Sequence, residues 1–271
     1  MAMRIAIFGH SGIGKSHLKR LFKVKSFEPF RVRVPRDKND ARVCKSPQEF
    51  QKLLSAHDGY KPLYAAEGCT SNLRIFENWS FFKIRGKDDQ CLEHTLKARN
   101  PAVPLMVEIY APVFFDILRA QATIPEMKNK VLSCDKEDLL IILLNPTSFP
   151  FKEMSGPSML FRLSAFTAVV ERCRVQGKQV DLNDALRRAE FLDEELLAWQ
   201  KFIGYGFTIV ECLNWPYFEF TYADLAALDA RFLKVRNFLL HCINRQAPDK
   251  LAELESLIST PEEIVELACG G

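Results

Sequence analysis

A glycine-rich run near the N-terminus carries the clearest chemistry in this sequence. Residues 9–16 read GHSGIGKS and match the pattern GxxxxGK[ST] at every specified position. Glycines let the backbone curl so that successive N–H groups face phosphate oxygens, and a following helix N-terminus adds partial positive charge. We expect Lys15 to reach the β- and γ-phosphates of ATP, and the Ser16 hydroxyl to hold Mg²⁺. The predicted ATP-binding residues are Gly9, Ser11, Gly12, Ile13, Gly14, Lys15, Ser16 and His17.

The loop lies between a predicted strand and a predicted helix, and further strands and helices alternate along the chain. Residues 4–8 form a short apolar run typical of a buried parallel strand, and residues 15–25 have a helical pattern. Further strands are predicted at 105–110, 138–146 and 207–212, and helices at 47–54, 112–122, 158–175, 181–203, 222–244 and 248–268, the last restarting after Pro261. Strands alternating with helices predict an α/β fold. We expect a P-loop three-layer α/β/α sandwich with a mainly parallel sheet and inserted acceptor-binding and lid regions.

Residues 55–100 interrupt this alternation. They contain strand-like pieces at 75–76 and 79–84 and a predicted amphipathic helix near 88–98. The domain organisation predicted is a kinase-like domain over 1–245, with an acceptor-binding insertion at about 31–100 and a lid at about 150–190. Residues 246–271 are predicted to form a C-terminal helical extension. The three tryptophans, Trp79, Trp199 and Trp215, are predicted to be packing residues.

The sequence excludes several classes of P-loop protein. A GTPase would carry DxxG after a strand and [NT]KxD later, and an ABC-type ATPase would carry Leu-Ser-Gly-Gly; none of these patterns occurs. A motor or AAA-type ATPase would usually have a strand ending in Asp-Glu, whereas the strands here end around Glu108 and at Asn145. The kinase-like branch remains.

A basic turn after the loop suggests a phosphorylated acceptor. Residues 31–36, Arg-Val-Arg-Val-Pro-Arg, resemble the Thr-Thr-Arg-x-Pro-Arg segment of guanylate kinases. The resemblance implies that Arg33 and Arg36 hold the acceptor's phosphate, and two forked guanidinium groups suit that task. Weaker similarities to the same family extend over about residues 4–240, at 44–50, 105–110, 139–148 and 187–190.

The remaining candidate residues follow from this resemblance and from position. Glu108, at a predicted strand end, is expected to orient Mg²⁺-bound water or the acceptor. Glu67, Thr70 and Ser71 are candidates for base or sugar contacts. Beside Lys15, the candidate catalytic residues are the lid arginines Arg172, Arg174, Arg187 and Arg188, because the charge of a transferring phosphoryl group spreads over its equatorial oxygens.

The sequence departs from the family where guanine would be read. Arg42 stands in place of the tyrosine that follows the family's second arginine, and the family's Tyr-Gly-Thr/Ser segment is not reproduced. This chain has Glu108 and Tyr110 where the family's acidic strand has two aspartates. The acceptor is therefore left open. The leading hypothesis is a nucleoside monophosphate kinase, and the alternatives are a kinase of a sugar phosphate or other small metabolite and a nucleotide-binding regulatory module with little turnover.

Bulk composition limits the partners. A formal net charge of +3 gives no reason to expect a nucleic-acid or membrane partner, and no apolar run approaches the roughly 20 residues that span a bilayer. The eight cysteines include no CxxC pair and no zinc spacing, which favours a reducing, cytoplasmic compartment. The expected partner is a small phosphate acceptor, and a homodimer is left open.

Overall fold

A computed structural model of the chain describes residues 3–10, 12–24, 26–27, 62–65, 72–76, 80–85, 90–95, 104–107, 111–112, 114–115, 136–156, 159–175, 177, 179–190, 192–215 and 228–264. The chain divides into two compact units. The first comprises residues 1–27, 104–108 and 136–271, and the second comprises residues 28–103 and 109–135. The predicted insertion at 31–100 falls within the second unit.

The described strands form two separate sheets. In chain order they are β1 (Arg4–Phe8), β2 (Ser26–Phe27), β3 (Pro62–Ala65), β4 (Asn72–Phe76), β5 (Ser80–Arg85), β6 (Gln90–Thr95), β7 (Leu105–Val107), β8 (Leu139–Leu144) and β9 (Thr208–Cys212). The first unit holds a five-stranded sheet in the order β2-β7-β1-β8-β9, and the second holds a four-stranded sheet in the order β3-β4-β5-β6.

The five-stranded sheet of the first unit is parallel at every pairing. All residues of β1 and β8 are buried, which explains why both sequences are almost continuously apolar. The strands predicted at 4–8, 138–146 and 207–212 are confirmed, and the fold of this unit is α/β with a parallel sheet and helices.

Helices connect these strands and follow them. They are α1 (Lys15–Leu18), α2 (Met159–Val175), α3 (Leu182–Glu190), α4 (Leu192–Gly204), α5 (Leu228–Gln246) and α6 (Leu251–Leu257), with short 3₁₀ turns at 19–21, 136–138, 151–153 and 248–250. The helix predicted at 158–175 is confirmed, and the chain turns at Gly177, whose φ of +62° lies in the left-handed region.

The helix predicted over 15–25 is wrong beyond Leu18. A 3₁₀ turn follows it, and Phe22 then forms an antiparallel bridge with Ile258. The backbone N–H of Lys23 donates to Leu257 O at 2.9 Å, and that of Ser259 donates to Leu21 O at 2.7 Å. Hydrogen bonds from a segment more than 200 residues away therefore replace the local helical ones, which no local pattern could indicate.

The C-terminal segment packs in the core of the first unit. Leu254, Ile258 and Ile264 are fully buried in the same apolar cluster as Ile5 and Ile142. The chain breaks after α6 and becomes helical again at residue 261, as predicted. The restart has reciprocal capping, because Glu263 N donates to Thr260 Oγ1 while Thr260 N donates to Glu263 Oε2.

The second unit corrects the prediction for residues 88–98. The expected amphipathic helix is wrong: Gln90–Thr95 is strand β6, paired with β5 from Ser80↔Thr95 to Arg85↔Gln90. Strands β3 to β6 form an antiparallel meander, each pairing with its neighbour along the chain. Pairing with a neighbouring strand determines the conformation of such a short segment more strongly than its local periodicity does. The strand-like pieces near 75–76 and 79–84 are confirmed as parts of β4 and β5.

Candidate phosphate-binding site

The glycine-rich loop follows β1, at the position in the sheet where the order of successive strands changes direction. From β1 the chain proceeds towards β2 at one edge, whereas from the neighbouring strand β8 it proceeds to β9 at the other edge. Loops that diverge in this way leave a crevice at the carboxyl ends of adjacent parallel strands, where open α/β sheets bind their ligands. The fold therefore places residues 9–14 at the position expected of a binding site.

The loop has the tight curvature that its glycines predict. Gly9, Gly12 and Gly14 have φ angles of 151°, 88° and 92°, which residues with a Cβ rarely adopt. A Cβ at Gly9 would lie 2.9 Å from Ile13 Cγ2 and 3.1 Å from both Leu144 Cβ and Leu144 O. Gly9 thus allows the loop to fold back on itself while it lies against the end of β8. Among hydrogen bonds joining described residues, none is donated by the backbone N–H of Gly12 or Gly14.

Lys15 begins α1, and its ammonium group turns back over the loop. Its Nζ donates to Gly9 O at 2.5 Å and to His10 O at 2.9 Å. The cation therefore lies beside the curled backbone, and the helix N-terminus adds charge of the same sign. Ser16 follows in the first turn of α1. This combination can hold an anion, and a hydroxyl at position 16 would be one oxygen ligand for Mg²⁺ bound with the phosphates.

Helix α2, within the predicted lid, packs directly on the loop. A Cβ added to Gly12 would lie 3.0 Å from both C and Cβ of Ala168 and 3.1 Å from its carbonyl oxygen. The imidazole of His10 is fully buried and meets the Phe161 ring edge-on, with 5.6 Å between centroids. Phe161 and Ala168 of α2 therefore form a closely packed wall against one side of the loop.

Trp215, which follows β9, contacts the loop from another element. Its indole Nε1 donates to Ile13 O at 3.0 Å in a buried hydrogen bond. Its backbone N–H donates to Asn145 O at 2.8 Å, and its ring meets Phe238 edge-on at 5.9 Å. The predicted packing role of Trp215 and Trp199 is confirmed by their burial, but the sequence did not indicate the hydrogen bond to the loop.

The loop after β8 is organised around one buried amide. Asn145 Nδ2 donates to Phe149 O at 2.8 Å and to Glu211 Oε1 at 2.6 Å, and Oδ1 accepts from Thr147 N at 2.9 Å and Thr147 Oγ1 at 2.8 Å. Glu211 also accepts from Phe151 N at 2.8 Å. Burial raises the pKa of Glu211 above its ordinary value, although these hydrogen bonds favour the carboxylate. Glu211 was missed, and its only signal was an acid within the apolar strand β9.

The four predicted lid arginines are not equivalent. Position 172 follows Ala168 by four residues and lies on the same face of α2, which contacts the loop. Arg174 is exposed on another face, and its Nε lies 3.0 Å from Glu171 Oε2 within the helix. Arg188 is half-buried on α3, which also carries position 187. Of the two positions on α2, 172 shares a helix face with Ala168, and Arg174 does not.

Other predicted site residues lie outside the described part of the structure: Ser11, Arg33, Arg36, Glu67, Thr70, Ser71 and Glu108. For Ser16, His17, Arg172 and Arg187, the helical backbone is described and the side chain is not. Their roles stay predictions. The described residues contain no group of three or more His, Cys, Asp or Glu side chains placed to hold a metal ion by themselves.

Within the described part of the chain, no helix combines the length and apolar character needed to cross a bilayer. In comparisons with known proteins, no family model matches the chain, and no curated protein matches it significantly.

Proposed function

We propose that this chain binds ATP with Mg²⁺ at residues 9–16 and transfers the γ-phosphoryl group to a small phosphorylated acceptor. The proposed class is a guanylate kinase-like nucleoside monophosphate kinase on a P-loop α/β/α sandwich. The observation that carries this proposal is the loop itself. A buried strand ends at Phe8, the chain then curls through three glycines with positive φ, and Lys15 Nζ lies within 2.9 Å of two loop carbonyls.

The surroundings of the loop support a transfer site. The crevice at the carboxyl ends of β1 and β8 gives the phosphates a concave place between two diverging loops. The wall formed by α2 helps exclude water from one side of the loop, which limits competing hydrolysis. Phosphoryl transfer requires mainly positioning and charge neutralisation from the protein. Lys15 would supply charge at the phosphates, and position 172, one helical turn beyond Ala168, would supply the lid arginine.

The acceptor site is proposed from the sequence alone. Arg33 and Arg36 would bind the acceptor's phosphate through paired guanidinium groups. Glu108 would orient the acceptor or Mg²⁺-bound water. The altered base-reading segment leaves a nucleoside monophosphate as the favoured acceptor without specifying its base.

One structural observation favours the regulatory alternative. Gly12 and Ala168 are so closely packed that α2 cannot swing away without losing a buried contact. A lid that opens and closes in each cycle would then have to come from another segment. A nucleotide-binding module with little turnover would need no such motion.

Acceptor-dependent ADP formation distinguishes these possibilities. ATP consumption should be measured with GMP, AMP, CMP, UMP and a panel of sugar phosphates, for the wild type, Lys15→Ala and Arg33→Ala. We expect one phosphorylated acceptor to stimulate turnover, Lys15→Ala to abolish it, and Arg33→Ala to raise the acceptor KM. Arg31→Ala is the matched control, because it removes a neighbouring arginine to which the resemblance assigns no role.

Each outcome has a clear meaning. An acceptor KM that changes equally in Arg31→Ala and Arg33→Ala would remove the argument for a specific acceptor-phosphate site. ATP binding without stimulation by any acceptor would reject phosphoryl transfer to these acceptors and leave the regulatory module as the better account.

A further inference from the structure

We infer that Trp215 is a positioning residue of the phosphate-binding loop, acting through the peptide group between Ile13 and Gly14. This inference rests on the proposed function of residues 9–16 and adds a determinant that lies about 200 residues away in the chain. The evidence is one buried hydrogen bond, from Trp215 Nε1 to Ile13 O at 3.0 Å.

The bond matters because of the geometry of a peptide group. In a trans peptide the carbonyl and the following N–H point in opposite directions. With the Ile13 carbonyl directed at the indole, the Gly14 N–H points to the other side of that peptide plane. Rotating the plane by half a turn would exchange the two groups and present a carbonyl oxygen where the N–H had been. A carbonyl facing an anion is repulsive, so the orientation decides whether this peptide can bind phosphate.

Gly14 makes such a rotation easy unless something prevents it. Glycine has no Cβ and adopts positive φ about as readily as negative φ, and Gly14 has a φ of 92°. The local sequence therefore does not determine this peptide's orientation by itself. A hydrogen bond from outside the loop selects one of the two orientations.

Trp215 is itself held firmly enough to act as this constraint. Its backbone N–H donates to Asn145 O at 2.8 Å, and its ring packs edge-on against Phe238 of α5. The preceding residue, Asn214, has a φ of 53° and donates its N–H to Thr147 O at 2.8 Å. Asparagine tolerates this left-handed conformation better than most residues do. The indole is thus fixed by the loop after β8 and by a long helix.

Trp199 provides a matched comparison within the same protein. It is as deeply buried as Trp215 and packs against Phe151, with 4.5 Å between ring centroids. Its indole N–H has no hydrogen-bond partner within the described part of the chain. Replacing each tryptophan by phenylalanine therefore removes similar aromatic volume, but only Trp215→Phe removes a hydrogen bond to the loop.

The test compares Trp215→Phe with Trp199→Phe. We expect Trp215→Phe to weaken binding of Mg²⁺·ATP by about 3- to 10-fold, the usual effect of one lost hydrogen bond, as measured by calorimetric titration. We expect it also to speed amide hydrogen exchange in residues 9–14 of the nucleotide-free protein. Trp199→Phe should lower the melting temperature while leaving affinity and loop exchange within about twofold of the wild type, a change below a single hydrogen bond's usual effect. Equal effects of the two substitutions on both measurements would overturn the inference.

The exchange measurement separates this inference from the proposed function. If the wild type binds no Mg²⁺·ATP, the proposed function fails, and slower loop exchange in the wild type than in Trp215→Phe would still show that Trp215 orders the loop. If the wild type binds and Trp215→Phe behaves like the wild type in both measurements, only the role of Trp215 fails.

A measurement on the wild type covers the case in which Trp215→Phe does not fold. The protein has three tryptophans, so its indole N–H resonances can be assigned with Trp79→Phe and Trp199→Phe. Saturating Mg²⁺·ATP should shift the Trp215 resonance more than the Trp199 resonance. An unmoved Trp215 resonance in the presence of bound nucleotide would overturn the inference.

Discussion

Two loops leave adjacent strands at the same edge of the parallel sheet, and they are built in opposite ways. The loop after β1 contains three glycines with positive φ, and its contacts to the rest of the first unit include Ala168 and Trp215. The loop after β8 contains no glycine between 145 and 150, and the buried Asn145 amide uses both its donor hydrogens and its acceptor oxygen on neighbouring groups.

We interpret this difference as one between a loop proposed to bind a ligand and a loop whose contacts stabilise the fold. In the β8 loop, polar groups satisfy one another, so removing one leaves buried partners unsatisfied. In the β1 loop, outside contacts fix the curvature and leave a concave backbone beside Lys15. We therefore expect substitutions in the first to reduce mainly stability, and substitutions around the second to reduce mainly triphosphate affinity.

The largest effect on stability should come from Asn145→Ala. It removes four hydrogen bonds around a fully buried residue and leaves Glu211 without one of its donors. We expect a loss of about 2–4 kcal/mol in the free energy of unfolding, measured in denaturant, with ATP affinity changed only a few-fold. Thr147→Val is the graded control, because it removes one hydroxyl from a half-buried position. A larger change in ATP affinity than in stability would contradict the assignment of the two loops.

An intermediate effect is expected from Ala168→Leu. A Cβ on Gly12 would already lie 3.0 Å from the Ala168 Cβ, so little space separates the two residues. A longer side chain at position 168 must therefore displace the loop. Overpacking of this kind costs roughly 1–3 kcal/mol of stability. Ala165→Leu enlarges a residue that is equally buried on the same helix and serves as the control. ATP affinity should fall further in Ala168→Leu than in Ala165→Leu, and equal affinities would remove α2 as a determinant of loop shape.

The smallest effect concerns Glu211 and pH. Because burial raises its pKa in the folded protein above the ordinary value, the folded state binds this proton more tightly than the unfolded state does. The contribution of Glu211 to stability is therefore most favourable below the ordinary glutamate pKa and is lost as pH rises through the raised value. Glu211→Gln should remove this decline, so its stability relative to the wild type should increase with pH in unfolding experiments. Glu190→Gln, at an exposed site on α3, is the control, and parallel pH profiles of stability for Glu211→Gln and the wild type would contradict the prediction.

The sequence predicted those parts of the fold that depend on strong local patterns. The apolar runs of β1 and β8 and the glycine signature are each recognisable from fewer than about 20 neighbouring residues. Gln90–Thr95 could not be predicted because its strand conformation depends on β5, and the early end of α1 depends on Ile258.

The residues of the candidate site likewise include some that a local sequence pattern reveals and others that only tertiary packing reveals. Gly9, Gly12 and Lys15 are recognisable from spacing, because each has a role set by the loop's own geometry. Ala168 and Trp215 reach the loop only through tertiary packing, and an alanine in a helix or a tryptophan in an apolar segment gives no sign of its partner. Glu211 could have been suspected, since a charged residue inside a buried strand requires compensating hydrogen bonds.

A calorimetric titration with Mg²⁺·ATP measures whether residues 9–16 bind a nucleoside triphosphate. We expect saturable binding of one ATP per chain. Lys15→Ala should weaken it by about tenfold or more, the usual effect of losing a charge-assisted hydrogen bond. Lys201→Ala, which removes an exposed lysine from α4, should bind as the wild type does. Absence of saturable binding by the wild type, or equal affinity in Lys15→Ala and the wild type, would show that residues 9–16 are not a nucleoside triphosphate site.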